Sequence, residues 1–121
     1  MTEPLQVQLR KGVLEMCVLA LLARRAGYAY DIASRLAHDI GMGEGTIYPL
    51  MRRLQNDGLV TSYLEESSSG PPRKYYQLTR AGRASLAEQK TEWNAFAGSV
   101  AKVLADDRPA AASAKIVGGV T

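Results

Sequence analysis

Three glycines within five residues, Gly41, Gly43 and Gly45, separate two stretches whose apolar residues recur at helical spacing, and that arrangement narrows the folds open to the chain. Ahead of the glycines, Ile32, Ala33, Leu36, Ala37 and Ile40 share one face of a helix expected from about Tyr28 to Ile40 and closed by Gly41. Beyond them, Ile47, Leu50, Met51 and Leu54 line the buried face of a helix expected from about Thr46 to Asp57. Gly45, Pro49, Arg52 and Asn56 then fall on its opposite face, with Tyr48 and Arg53 on the flanks. Two helices joined by so short a turn form a helix-turn-helix. With Thr46 as N-cap, Pro49 lies in the first turn, where its missing N–H costs little; an earlier start implies a kink.

What surrounds this unit completes a fold. Leu9, Val13, Leu14, Met16, Cys17, Leu19, Ala20, Leu21 and Leu22 make a preceding helix apolar nearly all round, and hence central to the core, with Gly27 breaking it. Gly58 supplies the left-handed residue that ends the third helix and sets Leu59 against Leu54. Leu59 to Glu65 and Arg73 to Leu78 read as two strands, rich in Val, Thr and Tyr, joined by a flexible tip from Glu66 to Pro72. Tyr76 and Leu78 share one face, which leaves Arg73, Tyr75 and Gln77 on the other. Thr79 caps a long fourth helix reaching about Leu104. Leu86, Trp93, Val100 and Leu104, with Phe96, form a stripe along it that calls for a second copy of the helix, although Gln89 and Lys90 interrupt any continuous coiled coil. The fold expected is mainly α with a small β-hairpin: a winged helix-turn-helix at 1–79, a C-terminal dimerisation helix at 80–104 and a disordered tail at 105–121.

Composition closes other routes. At 121 residues the chain holds one domain with little to spare. Its one cysteine, Cys17, lies inside the apolar run Met16 to Ala23 and reads as a small buried hydrophobe; one Cys and one His, His38, build neither a zinc site nor a Cys/His nucleophile pair. Arg10 and Lys11 before an apolar stretch mimic a secretion signal, yet Glu15 interrupts the stretch and Arg24 and Arg25 close it, too early for a membrane span. A cytoplasmic protein without catalytic residues or cofactor is expected, since no His-carboxylate pair, phosphate-binding loop or nucleophile motif occurs.

The net charge of +3 lies entirely in residues 1–83, which carry 11 Lys and Arg against 8 Asp and Glu. Arg52 and Arg53 on the third helix, and Arg73 and Lys74 where the hairpin leaves its tip, put four cations on the two elements with which a winged helix meets duplex DNA. Gly45, Thr46, Tyr48, Pro49 and Arg52 are the expected groove-facing residues, with Arg53, Arg73 and Lys74 on the backbone. Winged helices also serve as protein–protein modules, so that a module without DNA binding is the competing reading.

Gly45-Thr46-Ile47-Tyr48-Pro49-Leu50, followed by Arg52-Arg53-Leu54 and Asp57-Gly58-Leu59, resembles the signature of the PadR family of transcriptional regulators. Arg10-Lys11-Gly12-Val13-Leu14-Glu15, Gly27-Tyr28, Arg73-Lys74-Tyr75-Tyr76, Leu78-Thr79 and Gly82-Arg83 extend the likeness over about residues 8 to 104. Glu44 departs from the pattern, which has a small residue or proline there. The resemblance, to the branch with a short C-terminal helix, implies a homodimeric and usually repressing regulator on a palindromic operator. It also implies, for some members, an aromatic or multidrug-like effector near the dimer interface, where Trp93 and Phe96 would stack on a flat apolar ligand.

Overall fold

Helix α1 (Leu5–Arg24) is apolar on most of its circumference because other elements pack around it: Leu14, Val18, Leu19 and Leu22 are buried, while Met16, Cys17, Ala20 and Leu21 are half-buried. The computed structural model describes residues 5–105 and 109, and side chains from residue 13 onward except that of Glu44. The tail expected at 105–121 lies outside them, apart from Ala105 and Pro109. Burial pushes the Cys17 thiol up, which keeps it protonated and unreactive at neutral pH.

A two-residue strand, β1 (Gly27–Tyr28), precedes helix α2 (Ala29–Ile40), and the sequence reading missed it by starting the helix at Tyr28. Gly41 closes α2 at φ 71°, and the chain then buries Met42 before helix α3 (Glu44–Asn56) begins. The start of α3 is therefore two residues earlier than expected. The Gly43 carbonyl, in extended geometry, takes the first helical bonds from Thr46 N (3.1 Å) and Ile47 N (3.4 Å), so Thr46 is inside the helix and is no cap. Pro49 consequently lies beyond the first turn, in a helix that runs through it as one element.

The end of α3 follows the expected chemistry. Gly58 adopts φ 78°, its N–H bonds to the Gln55 carbonyl (3.1 Å), and the Leu59 N–H reaches back to the Leu54 carbonyl (3.0 Å), the paired bonds of a Schellman stop. A side chain at Gly58 would meet the strain of a left-handed backbone. Strands β2 (Val60–Ser67) and β3 (Gly70–Leu78) form a longer hairpin than expected, turning at Ser68 and Ser69, with Ser67 opposite Gly70. Pro71 and Pro72 belong to β3: two residues there face the single Glu66, a bulge in which a missing N–H is tolerated. The antiparallel sheet has the order β1-β3-β2, and its inner face sets Val60, Tyr76 and Leu78 on the helices.

Thr79 caps helix α4 (Arg80–Ala105): its Oγ1 accepts from Gly82 N (3.0 Å) and donates to the Gly58 carbonyl (2.7 Å), while its own N–H bonds the Leu59 carbonyl (3.1 Å). Gly82 and Leu86 are buried within the first unit of the chain, which runs to Thr91; the second begins at Glu92. Among the described residues no helix is long and apolar enough to cross a membrane.

A Cβ on Gly82 would fall 2.0 Å from the Leu59 carbonyl oxygen and 2.9 Å from Leu78 Cδ2, whereas one on Gly45 meets nothing within 4 Å. Gly82→Ala should accordingly cost at least about 2 kcal/mol in urea unfolding. Gly45→Ala should leave stability unchanged or raise it by up to about 1 kcal/mol.

Candidate nucleic-acid interface

The exposed side of α3 is built by burying the other. Ile47, Leu50, Met51 and Leu54 are sunk into the core, which leaves Gly45, Thr46, Tyr48, Pro49, Arg52 and Arg53 on the surface. The amide of Gln55 donates to Ser62 Oγ (3.0 Å), tying the end of the helix to β2. Beside its first turns a cleft of about 410 Å³ is lined by Leu14, Glu15, Thr46, Pro49, Leu50 and Arg53.

The two arginines of α3 differ. Among the described residues no ion pair holds Arg52, whereas Arg53 Nη2 donates to Glu15 Oε1 of α1 at 2.6 Å. The other oxygen, Glu15 Oε2, accepts from Gln89 Nε2 of α4 (2.8 Å), which also reaches Ser85 Oγ (3.0 Å). One carboxylate therefore joins three helices, and it offsets the charge of Arg53 locally. Neither Glu15 nor Gln89 was picked out from the sequence as part of this surface, except that Glu15 stood within the family pattern.

The hairpin divides its cations as well. By the pleat of β3, Arg73 and Lys74 lie on opposite faces. Lys74 Nζ stands 5.6 Å from the centre of the Tyr76 ring. Arg73 lies on the outer face, where its guanidinium is 4.9 Å from the centre of the Tyr28 ring and its Nη1 donates to the Tyr28 hydroxyl (2.7 Å). Tyr75 joins the same face, edge-on to Tyr28 (5.3 Å) and stacked on Tyr63 (5.9 Å). Tyr28 is a residue the sequence reading left in the start of a helix; only the pairing of β1 with β3, Tyr28 opposite Tyr75, brings it here.

In α4, Leu86 departs from the expected stripe, because it is buried at 8 % exposure in the core of the chain itself. Trp93 (44 %), Phe96 (64 %), Val100, Val103 and Leu104 are exposed within the second unit. The Glu44 side chain lies outside the described residues.

Comparison with known proteins agrees with this architecture. A sequence profile of the transcriptional regulator PadR-like family matches residues 18–88. The fold is similar to the crystal structure of a PadR-like transcriptional regulator from Bacillus cereus, with a TM-score of 0.76 and 37 % identity, covering 83 % of this chain and 99 % of that one. A PadR family transcriptional regulator from Eggerthella lenta gives a TM-score of 0.72 at 40 % identity, over 81 % of this chain and 87 % of that one. A transcriptional regulator of Mycobacterium tuberculosis is 40 % identical over 53 residues, 44 % of this chain and 49 % of that protein.

The Glu15–Arg53 pair is half in solvent, with side chains 30 % and 59 % exposed, so its direct worth to the fold is small. A double-mutant cycle of Glu15→Gln and Arg53→Gln, read by urea unfolding, should give a coupling below about 1 kcal/mol. A coupling several times larger would mean that the pair is a structural cornerstone.

Proposed function

This chain belongs to the PadR-like family of transcriptional regulators, and from that premise we propose that it acts as a homodimeric, ligand-responsive repressor on a palindromic operator in the cytoplasm. The observation that carries the DNA-facing part of this reading is the two-sided α3, whose buried side is wholly apolar and whose exposed side presents Thr46, Tyr48, Pro49 and Arg52. A helix so exposed fits the major groove, where Thr46, Tyr48 and Arg52 meet base edges and Gly45 and Pro49 allow close approach. Arg73 and Lys74, on opposite faces of the hairpin, suit phosphates on either side of it. Arg53, with Nη2 on Glu15, meets the backbone with its charge partly offset by that carboxylate.

The exposed stripe of Trp93, Phe96, Val100 and Leu104 supports pairing through the second unit, because large apolar groups in water favour a partner of the same kind. A two-fold dimer reads a palindrome, its recognition helices about one duplex turn apart. Trp93 and Phe96 supply flat apolar surface for an aromatic effector in or near that interface.

Gel shift with the DNA upstream of the protein's own gene, repeated over a salt series, tests the reading. With Arg73 and Lys74 of two subunits on phosphates, log K should fall against log salt with a slope of about −4, steepening toward about −5 in Glu15→Gln as Arg53 is released. Phe96→Asp together with Val100→Asp should give monomers by light scattering and abolish operator binding. A protein indifferent to duplex of any sequence would point instead to a protein-interaction module.

A further inference from the structure

Arg73 is exposed on the hairpin, where a long, mobile side chain loses conformational entropy whenever it settles on a phosphate. Here part of that ordering is already present in the free protein. The guanidinium lies over the face of Tyr28, 4.9 Å from the ring centre, while its Nη1 donates to the phenol oxygen at 2.7 Å. Glu65 stands directly across the strand pair from Arg73, yet among the described residues no ion pair joins them. The acceptor that fixes Arg73 is therefore neutral, and the arginine keeps its full charge and its remaining N–H groups for another ligand.

Tyr28 is itself held from three sides. Its backbone pairs with Tyr75 in the two-residue strand β1, its ring packs edge-on to Tyr75, and the chain leaves it directly into α2. Tyr75 is braced in turn by Tyr63 of β2. We propose that Tyr28 is a positioning residue for DNA binding: it presents the Arg73 guanidinium, uncompensated and pre-ordered, to the phosphate backbone. The inference rests on the reading of Arg73 as a backbone contact given above, and it assigns to β1 the task of bringing Tyr28 within reach of the hairpin.

Tyr28→Phe, Arg73→Ala and the double variant of the full-length chain test it, each titrated with a random-sequence duplex at fixed salt. Tyr28→Phe keeps the ring and its packing, so its thermal midpoint should match that of the parent, while binding should weaken about three- to tenfold. In the Arg73→Ala background the same change should have no further effect. The nitrogen-15 signals of the Arg73 side chain supply a readout without DNA: slowed exchange and a distinct shift in the parent, averaged values in Tyr28→Phe. Equal weakening by Tyr28→Phe in both backgrounds would overturn the inference and make the phenol a DNA contact in its own right. Weakening by Arg73→Ala with none from Tyr28→Phe would overturn it while leaving Arg73 as a backbone contact. Unchanged binding by Arg73→Ala would remove the underlying reading of the hairpin, and the inference with it.

Discussion

The Leu59 carbonyl is the point on which the first unit turns. It accepts the N–H of Thr79, and it sits so close to Gly82 that no side chain fits between them. One residue earlier, the Gly58 carbonyl takes the hydroxyl of the same Thr79. The end of α3, the end of β3 and the beginning of α4 thus meet within a few bonds. Because the left-handed Gly58 and the Schellman bonds fix where α3 stops, the same junction sets where the hairpin starts and the angle at which α4 leaves it. A polar knot of backbone groups does this work, and the apolar contacts of Leu54, Val60 and Leu78 close over it.

Charge on the surface is organised by tethers. Arg53 is tied to a carboxylate and Arg73 to a phenol, and these two acceptors have opposite consequences. An anionic partner subtracts from the field that a polyanion feels; a neutral one shapes the side chain without subtracting. Counting arginines overstates the attraction of α3, which rests chiefly on Arg52, and understates the order of the hairpin. Glu15 also connects α3 with Gln89 of α4 through a single group, so the third helix and the helix that carries the exposed apolar stripe share one side chain.

What was legible in the sequence is what local chemistry decides. The helix-turn-helix, the stop at Gly58, the cap at Thr79 and the inward facing of Tyr76 and Leu78 each depend on residues within a few positions of one another. The errors arose where a distant or competing contact prevailed. A two-residue strand has no periodicity to detect, and β1 exists only because β3 lies alongside. Thr46 looked like a cap, but the burial of Met42 and the extended Gly43 began the helix sooner. Leu86 fitted the spacing of the apolar stripe, yet it falls where α4 still rests on the core. The pairs that shape the candidate interface span 38, 45 and 74 positions of sequence, distances over which no pattern in one chain announces a partner.

The bulge at Pro71 and Pro72 has a consequence for life in a crowded solution. Strand β1 covers β3 only at Tyr75 and Tyr76, so the outer part of β3 has one side open to any extended peptide that drifts by. Successive N–H groups of a strand point to alternate sides, and two adjacent prolines therefore strip a donor from each. At the open edge one residue that would pair with an incoming strand therefore lacks its donor, which weakens any ladder added beside the exposed Tyr63 and Leu64 and disfavours edge-to-edge association of the hairpin.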